Sequence, residues 1–353
     1  MKRLNWIMFI LMAFSVLEWA KPATLFSDYE NRYLQQKPTF SLQNVLNGTY
    51  QRQYENYVND QFMFRNGWVK IKTFTYTVMQ KNEYKNVVKG EHDFLFKKQF
   101  SFHHRLESNQ DHLSKFLDRH PNSLAFIAMT SYHVHREYLK HPFLWIDQRE
   151  WMDTFNHERR VDPCKIFDQP KEPLFYKSDH HWNLKGAYGA ASIILDQMGI
   201  MIKEYDAYPI QSKDGFLGSH YKQMLPLFYP SEPFFYLDRE VRMTLYDQTY
   251  DHLFNQRALD SANYYDGFLY GNHGFLSIDT MNEGAKILVI KDSYANSVIP
   301  FLTDYFQQID VIDLRYFNDS LQKTIQEGSY DHILFLENFD QFQESRHTFK
   351  LFF

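Results

Sequence analysis

The chain has 353 residues, enough to bury a full hydrophobic core as one large domain or two smaller ones. Its formal charge is -5 and it has no long basic run, which argues against a surface built to bind nucleic-acid phosphates. The single cysteine, Cys164, excludes an internal disulfide framework and a Cys-rich metal site. Aromatic residues reach 18%, and such rings can fill a core or stack on sugar rings.

The amino terminus has the pattern of an export signal. Lys2 and Arg3 precede an almost wholly apolar run over residues 4–17. This run is shorter than the roughly 20 residues of a comfortable membrane span, and no clear small-x-small cleavage site follows it. We therefore predict that residues 1–22 are a signal peptide or an amino-terminal membrane anchor. The protein would then be exported, and either anchored on the outer face of the cytoplasmic membrane or secreted.

Residues 23–100 predict an amino-terminal lead-in and helical region. The lead-in is polar and extended, and helices are predicted over residues 50–65 and 68–79 from their apolar spacing. Residues 89–96 indicate a turn that runs into a strand.

Residues 101–353 alternate helical stretches with short apolar strands, which favours a single α/β domain. Helices are predicted over residues 106–119, 184–198, 298–306 and 320–326. Strands are predicted over residues 123–129, 286–290, 310–315 and 331–336. This alternation is typical of a mostly parallel sheet with helices on both faces.

The alternation breaks between about residues 205 and 283. This stretch is rich in glycine, proline and tyrosine, which predicts an irregular or β-rich insertion. The insertion could be a substrate lid or a structural flap that completes the core, and the sequence does not choose between the two.

Two distant segments contain the residue types of a hydrolase triad. In the first, Asp179 stands two residues before His181, so the carboxylate can hold the imidazole tautomer while the other ring nitrogen faces a serine. In the second, Ser293 follows the apolar strand at residues 286–290 and opens the next predicted helix, where a nucleophile gains exposure and helix-end amides. The two segments together predict a serine nucleophile with a His–Asp pair.

Each segment also has a plainer interpretation. An Asp-Ser pair after a strand can serve only as a helix cap. Asp179, His180 and His181 could instead bind a metal, although no third ligand motif has an obvious spacing. We therefore expect no metal and no cofactor, and we expect His180 to be a packed or hydrogen-bonded neighbour.

Both segments resemble known motifs. Asp292-Ser293 resembles the Gly-Asp-Ser nucleophile block of SGNH hydrolases, with Lys291 in place of the glycine. Asp179-His180-His181-Trp182 resembles the motif that names the DHHW family, which is related to the AlgJ and AlgX alginate O-acetylation proteins. Other parts of the chain that look like that family are residues 26–32 with Pro38, residues 60–62 with Arg65, Gly186-Ala187, and residues 313–316.

The resemblance implies an SGNH-hydrolase-like fold and assigns roles to individual residues. Ser293 would be the nucleophile, His181 the base and Asp179 the orienting acid, in a chain order that is circularly rearranged relative to ordinary SGNH enzymes. The glycine and asparagine of the SGNH oxyanion hole cannot be placed in this sequence. The backbone amides of Ser293 and Tyr294 are natural candidates for that hole.

Two further side chains are candidates for substrate contact. Arg315 stands at a predicted strand end, where it could touch substrate oxygen or form a structural ion pair. Trp182 could wedge its loop against the core or form a platform for a sugar ring.

The predicted function is an extracytoplasmic, serine-dependent O-acetyltransferase or acetylesterase that acts on a cell-surface or secreted polysaccharide through an acyl-serine. The resemblance adds a membrane-bound O-acyltransferase as partner, which would bring acyl groups across the membrane. Two alternatives stay open. The first is a non-catalytic protein of exopolysaccharide binding or assembly, and the second is D-alanyl transfer to teichoic acid.

Overall fold

The structure is a computed structural model that describes residues 6, 9, 12, 21–27 and 32–353. Most of the predicted signal or anchor at residues 1–22 lies outside the described residues, as do residues 28–31 of the lead-in. Among the described helices, none has the length and apolar character needed to cross a membrane.

Helices and strands alternate along most of the described chain. The α-helices are α1 (Leu42–Leu46), α2 (Thr49–Gln61), α3 (Arg65–Val78), α4 (Leu106–Arg119), α5 (Ser131–Val134), α6 (Gln148–Thr154), α7 (Cys164–Phe167), α8 (Leu184–Gln197), α9 (Ser219–Met224), α10 (Ile299–Leu302), α11 (Leu321–Gly328) and α12 (Phe339–Glu344). Short 3-10 segments include Tyr264–Gly267 and Ser293–Ser297.

The strands are β1 (Phe26–Ser27), β2 (Arg32–Tyr33), β3 (Glu83–Tyr84), β4 (Val87–Lys89), β5 (Leu95–Lys97), β6 (Ser123–Ala128), β7 (Gln211–Phe216), β8 (Glu232–Tyr236), β9 (Glu240–Leu245), β10 (Gln248–His252), β11 (Phe275–Asp279), β12 (Lys286–Lys291), β13 (Gln308–Ile312) and β14 (His332–Asn338).

The chain divides into two compact units. The first comprises residues 1–85 and 222–228, and the second comprises residues 86–221 and 229–353. In the first unit, the amide of Gln61 at the end of α2 holds the extended lead-in, since it exchanges hydrogen bonds of 2.8 Å with the backbone N–H and C=O of Thr24. The buried hydroxyl of Thr73 in α3 donates to the carbonyl of Met224 at 2.7 Å.

The second unit is built on a seven-stranded sheet with the order β10-β9-β11-β13-β12-β14-β6. Strands β13, β12, β14 and β6 pair in parallel. Strands β10, β9 and β11 pair antiparallel with one another, and β11 joins β13 antiparallel. The parallel strands are buried almost throughout, as the apolar runs of their sequences predict.

The prediction of a mostly parallel sheet therefore holds only for one half of it. The chain forms a mixed α/β fold with a mixed sheet, because β9, β10 and β11 all come from residues 205–283. Their antiparallel pairing gives part of the predicted insertion a place in the main sheet. Strand β9 alternates exposed and buried side chains along Glu240–Leu245, as expected for a strand with one face on the core.

Candidate active site

Ser293 stands at the carboxyl edge of the parallel strands. Strand β12 ends at Lys291, and Asp292 extends the pairing by one residue because its N–H donates to the carbonyl of Leu336 at 3.1 Å. The backbone then turns into the 3-10 segment that begins at Ser293. The predicted helix over residues 298–306 is correspondingly shorter than expected, since only α10 is α-helical there.

The Asp179–His181 segment lies in the loop before α8. The side chain of Asn183 caps this helix by accepting a hydrogen bond of 3.1 Å from the N–H of Gly186. Such a cap fixes where the loop ends and the helix begins. His181 therefore stands two residues from a fixed helix start.

The side chains of Asp179, His181 and Ser293 form one line of hydrogen bonds. Oδ1 of Asp179 lies 2.6 Å from Nδ1 of His181, and Nε2 of His181 lies 2.9 Å from Oγ of Ser293. The carboxylate and the imidazole are buried, with 4% and 6% of their residue surfaces exposed, whereas Ser293 is half-buried. The Asp179 carboxylate is therefore shielded from water, whereas the Ser293 hydroxyl stays accessible to a ligand.

The carboxylate of Asp179 is held by backbone donors as well as by the imidazole. Its Oδ1 accepts the N–H of His181 at 2.9 Å, and its Oδ2 accepts the N–H of Ser219 at 2.6 Å. Burial raises the pKa of Asp179, but the neighbouring imidazoles and these hydrogen bonds outweigh burial and leave the pKa well below its ordinary value. Asp179 is therefore an ionised hydrogen-bond acceptor.

The ring of His181 is also covered on one face. The Tyr265 ring stacks on it with a centroid distance of 3.6 Å and an interplanar angle of 7°. The Tyr265 hydroxyl lies 2.9 Å from Oγ of Ser297 and donates to the carbonyl of Ser293 at 3.3 Å. Tyr265 therefore joins the imidazole to the backbone of the serine segment.

Trp182 is fully buried and cannot form a platform for a sugar ring in this conformation. Its indole N–H donates to Oγ of Ser297 at 2.9 Å and to the carbonyl of Tyr294 at 3.2 Å. Its ring stacks on Phe167. The structure thus agrees with the alternative in which Trp182 wedges its loop against the core.

The two backbone amides proposed for an oxyanion hole differ in their availability. The N–H of Tyr294 already donates to Oδ1 of Asp292 at 2.9 Å. The Tyr294 side chain is buried too, and its hydroxyl donates to the carbonyl of His180. The N–H of Tyr294 is therefore already occupied, and a role of Tyr294 in binding an oxyanion or substrate stays a prediction. For the N–H of Ser293 we find no acceptor among the described residues, so it stays the better candidate.

Arg315 forms the ion pair that was one of its two predicted roles. Its Nε and Nη2 lie 2.9 Å and 2.6 Å from the two carboxylate oxygens of Asp313. This fork geometry fixes the guanidinium against Asp313. A contact between Arg315 and substrate stays a prediction.

Lys291 is a buried cation directly before the Asp-Ser pair. Its Nζ donates to Oδ1 of Asn272 and to Oδ1 of Asn296, both at 2.7 Å, and lies 3.7 Å from Oδ2 of Asp313. Burial lowers the pKa of Lys291 to about 8, although the nearby Asp313 carboxylate opposes that shift. The Lys291 ammonium therefore connects the side chains of Asn272, Asn296 and Asp313.

The metal alternative finds weaker support than the hydrogen-bonded line. Ligand atoms of Asp179, His180 and His181 lie within 4.8 Å of one another. Both ring nitrogens of His181 already face protein partners, and Nδ1 of His180 lies 2.7 Å from Oγ of Ser219. These three residues are therefore arranged for hydrogen bonding to the protein.

Some residues of the site carried no sequence signal. Ser219, Tyr265 and Asn272 all lie in the predicted insertion, and the side chains that they support, Asp179, His181 and Lys291, lie 40, 84 and 19 residues away. Their contacts depend on tertiary folding, which local periodicity does not report. Only the richness in tyrosine and glycine indicated that the insertion lies over the site.

The fold and the site together define a class of protein: a mixed α/β protein with a hydrogen-bonded Asp–His–Ser line at the carboxyl edge of its parallel strands. Residues 155–312 match the family model described as DHHW protein, a stretch that includes all three residues. The predicted resemblance to the DHHW family is thereby confirmed.

Solved structures show the same fold. A DHHW family protein from Eubacterium siraeum matches with a TM-score of 0.66 at 20% identity, over 76% of this chain and 96% of that one. PatB1 of Bacillus cereus, solved with a sulfonyl adduct, matches with a TM-score of 0.62 at 17% identity, over 77% of this chain and 100% of that one. The O-acetyltransferase domain of Pseudomonas putida AlgJ matches with a TM-score of 0.43 at 13% identity, over 74% and 93%. The likeness in fold rests on the first two. No curated protein matches the sequence.

Proposed function

We propose that this protein is an extracytoplasmic, serine-dependent O-acyltransferase or esterase that acts on a polysaccharide. The observation that carries the proposal is the continuous line from Asp179 through His181 to Ser293, with donor–acceptor distances of 2.6 Å and 2.9 Å. Distances in this range allow proton transfer without rearrangement. The same line supports transfer and hydrolysis equally, since both begin with an activated serine.

In the first half-reaction, Nε2 of His181 takes the proton of the Ser293 hydroxyl while Oγ attacks the carbonyl carbon of an acyl ester. The resulting oxyanion collapses, the bond to the leaving oxygen breaks, and His181 returns the proton to that oxygen. Asp179 keeps the imidazole in the required tautomer and stabilises its charged form. The product is an acyl ester on Ser293.

In the second half-reaction, His181 takes a proton from the hydroxyl of the acceptor, which attacks the acyl-serine. The Ser293 oxygen leaves and regains its proton from His181. A sugar hydroxyl as acceptor gives transfer, and water gives hydrolysis. We propose a cell-surface or secreted glycan as acceptor, acetyl as the acyl group, and a membrane-bound O-acyltransferase as the partner that supplies it.

The oxyanion needs a hydrogen-bond donor close to Ser293. The backbone N–H of Ser293 supports this role, since we find no acceptor for it in the described part of the chain. One such donor contributes roughly 3–4 kcal/mol to the stabilisation of a transition state. Substitution of a side chain cannot remove this N–H, so its test is a structure with a tetrahedral adduct.

The non-catalytic alternative, a glycan-binding or assembly protein, finds less support in the site. In the site, the buried Asp179 carboxylate bonds the His181 imidazole, which in turn faces the half-buried Ser293 hydroxyl. A protein that only binds glycan does not need this arrangement. The distance of 2.9 Å between Nε2 of His181 and Oγ of Ser293 also favours catalysis.

The proposal is tested by chemical labelling of the nucleophile. Sulfonyl fluorides react with activated serine hydroxyls, and a sulfonyl adduct is present in the solved structure of PatB1. We expect such a reagent to modify Ser293 and to abolish hydrolysis of a chromogenic acetyl ester. Peptide mass spectrometry of the labelled protein identifies the modified residue, and incubation with an oligosaccharide reports any acetyl transfer.

Ser297 is the matched control because it lies four residues further on in the same 3-10 segment. Its hydroxyl is buried and bonded to Trp182 and Tyr265. Ser293→Ala should abolish both labelling and ester hydrolysis, whereas Ser297→Ala should still be labelled at Ser293. Labelling that persists in Ser293→Ala, or ester hydrolysis at the wild-type rate in that variant, would refute the proposal.

A further inference from the structure

We propose that helix α3 of the first unit binds an anionic lipid surface. The proposal does not depend on the chemistry of Ser293. Three observations carry it: the direction of the apolar side chains of α3, the cations around them, and the charge of the unit to which the helix belongs.

The apolar side chains of α3 point outward. Trp68, Ile71 and Val78 are 51%, 53% and 68% exposed. Together with Phe64, Phe74 and Met79, which are also exposed, they recur at steps of one, three and four residues and so form one stripe along the helix. We call these six residues the α3 outer face.

The opposite side of α3 carries the buried contact. Thr73 is 1% exposed, and its hydroxyl donates to the carbonyl of Met224 at 2.7 Å. The buried side of this helix is thus anchored by a threonine, whereas its largest apolar side chains are left exposed. An exposed apolar stripe of this length marks a binding surface.

Basic side chains border the α3 outer face. The helix contains Arg65, Lys70 and Lys72 and no acidic residue. Lys70 and Lys72 fall on opposite flanks of the stripe at 100° per residue, where their stems can lie along apolar surface while the ammonium groups stay in a polar layer.

A cluster of cations stands at the carboxyl end of the helix. The Nζ of Lys72 lies 5.6 Å and 5.5 Å from the ring centroids of Tyr76 and Tyr84. Lys81 lies 5.4 Å from the Tyr76 ring, and Lys85 lies 5.7 Å from the Tyr84 ring. Three exposed ammonium groups around two tyrosine rings fit the phosphate layer of a membrane.

The charge of the whole unit favours an anionic lipid surface over the α3 outer face of a second copy of this chain. Residues 1–85 and 222–228 contain 12 Lys and Arg against 6 Asp and Glu, a net charge of +6. The other unit contains 26 Lys and Arg against 37 Asp and Glu, a net charge of -11. Two α3 outer faces packed together would bring like charges into contact, whereas anionic lipid complements the charge.

The same unit includes the apolar run of residues 4–17, which is predicted to reach or cross a membrane. Its described residues Trp6, Phe9 and Met12 are 67%, 64% and 66% exposed. A leader held at a membrane would keep α3 close to the lipid surface, so that α3 needs only weak affinity of its own.

The test uses the full chain reconstituted in vesicles, with one environment-sensitive fluorophore on a single cysteine in a Cys164→Ala background. One variant carries Ile71→Cys on the α3 outer face. The matched control carries Tyr246→Cys, since Tyr246 is 74% exposed in the second unit. Vesicles contain phosphatidylcholine alone or mixed with phosphatidylglycerol, each with and without a lipid-borne quencher, and thermal melts verify that both variants fold.

We expect the probe at position 71 to shift to the blue and to be quenched from the lipid in phosphatidylglycerol vesicles, while the probe at position 246 keeps its aqueous spectrum. Lys72→Gln and Lys81→Gln should each lower the ratio of inserted to free probe about fivefold. An aqueous spectrum at position 71 in both kinds of vesicle would overturn the proposal. Equal insertion into neutral and anionic vesicles would overturn it as well, because the cations would then have no role.

Discussion

His181 contacts the protein on both ring nitrogens and on one ring face. Asp179 accepts from Nδ1, Ser293 faces Nε2, and the Tyr265 ring stacks on the imidazole. Each contact fixes a different property of the imidazole: its tautomer, its direction and its plane. In the proposed mechanism, preorganisation of this kind would remove the cost of orienting the imidazole as a base.

Asp179→Asn tests whether Asp179 sets the tautomer of the His181 imidazole. An amide in place of the carboxylate can donate to Nδ1, which places the imidazole proton on Nε2, the atom that must accept the serine proton. We expect kcat for the acetyl ester to fall by about 10³–10⁴ with little change in KM. Steady-state kinetics measure this, and Asp319→Asn, on an exposed loop, is the control. A loss of less than tenfold would exclude Asp179 as the orienting acid.

Two substitutions of Tyr265 separate its ring from its hydroxyl. Tyr265→Phe keeps the ring over His181 but removes the contacts of the hydroxyl with Ser297 Oγ and the carbonyl of Ser293. We expect kcat to stay within a few fold of wild type, because the ring still fixes the imidazole plane. Tyr265→Leu also removes the stacked ring, and we expect kcat to fall at least about tenfold because the imidazole plane is no longer fixed. Equal kinetics in the two variants would show that the stacking has no catalytic consequence. Melting temperatures of both proteins distinguish a loss of stability from a loss of activity.

Glu337 is expected to contribute to the pH dependence of stability, and a single substitution can isolate its contribution. Its side chain is buried at the end of β14, and we find no partner for Oε2 among the described residues. Burial first, and the Asp292 and Asp313 carboxylates second, raise the pKa of Glu337 well above its ordinary value. The folded protein therefore keeps this proton after the unfolded chain has released it.

The direction of this pH dependence follows from the linkage between proton binding and folding. Stability from Glu337 is fully present below its unfolded pKa of about 4.3 and is lost as the pH rises through the folded pKa. Glu337→Gln removes the ionisation, so its free energy of unfolding should exceed that of wild type at about pH 8 by on the order of 1–2 kcal/mol, and by less at about pH 5. Urea denaturation at both pH values measures the difference. Glu327→Gln, at an exposed position of α11, should show no such trend. A wild-type pH profile in Glu337→Gln would contradict the assignment.

At the scale of elements, the insertion completes the candidate site. Ser219 holds the Asp179 carboxylate and Tyr265 covers the His181 ring, and both come from residues 205–283. The two alternatives for this segment, a lid and a flap that completes the core, are therefore not exclusive. Gly218 shows how closely the insertion approaches the site, because a methyl group there would overlap Cβ and Oδ2 of Asp179.

Gly218→Ala is expected to displace either Asp179 or the loop that holds it. A shift of about 1 Å in a catalytic group costs about 10²-fold in rate, so kcat should fall by a similar factor while the fold persists. The control is Gly199→Ala, which meets open space but has a φ of +75° after α8. That variant should lose about 1 kcal/mol of stability and keep its kcat. Wild-type kcat in Gly218→Ala would show that the contact with Asp179 does not matter.

The elements with strong local signals were predicted from the sequence. Helix α4 spans residues 106–119 as its apolar spacing predicts, and α8 ends one residue before the predicted boundary, beside a glycine with positive φ. The parallel strands were predicted within a few residues, because continuous apolar runs are the signal of strands that are buried on both faces. The spacing of Asp179 and His181 also predicted their hydrogen bond.

The features that the sequence did not predict depend on contacts over long separations. Strand β9 has a period-two alternation that was open to detection, but nothing local indicates that it pairs with β11 in the main sheet. The buried amine of Lys291 finds Asn272 nineteen residues away, across a chain reversal that no motif marks. Such partners become visible only once the sheet order is known.

At the scale of the whole molecule, the candidate nucleophile stands on a central strand. Strand β12 is paired on both sides, with β13 and β14, and its residues Ile287–Ile290 are fully buried. The antiparallel half ends in β10, which pairs with β9 at the edge and is mostly exposed. The chain therefore places Ser293 directly after a strand that can move little without unfolding the sheet.

This organisation predicts a gradient of amide hydrogen exchange across the sheet. The amides of Leu288, Val289 and Ile290 should exchange only through global unfolding of the second unit, because opening them breaks pairing with both neighbouring strands. Amides in β10 should exchange through local opening, faster by several orders of magnitude, since only one neighbour protects them. Exchange measured by mass spectrometry with peptide resolution separates the two. Fast exchange in β12 would mean that Ser293 and Asp292 lack a rigid support, and the short distances between Asp179, His181 and Ser293 would then describe only one of several populated arrangements.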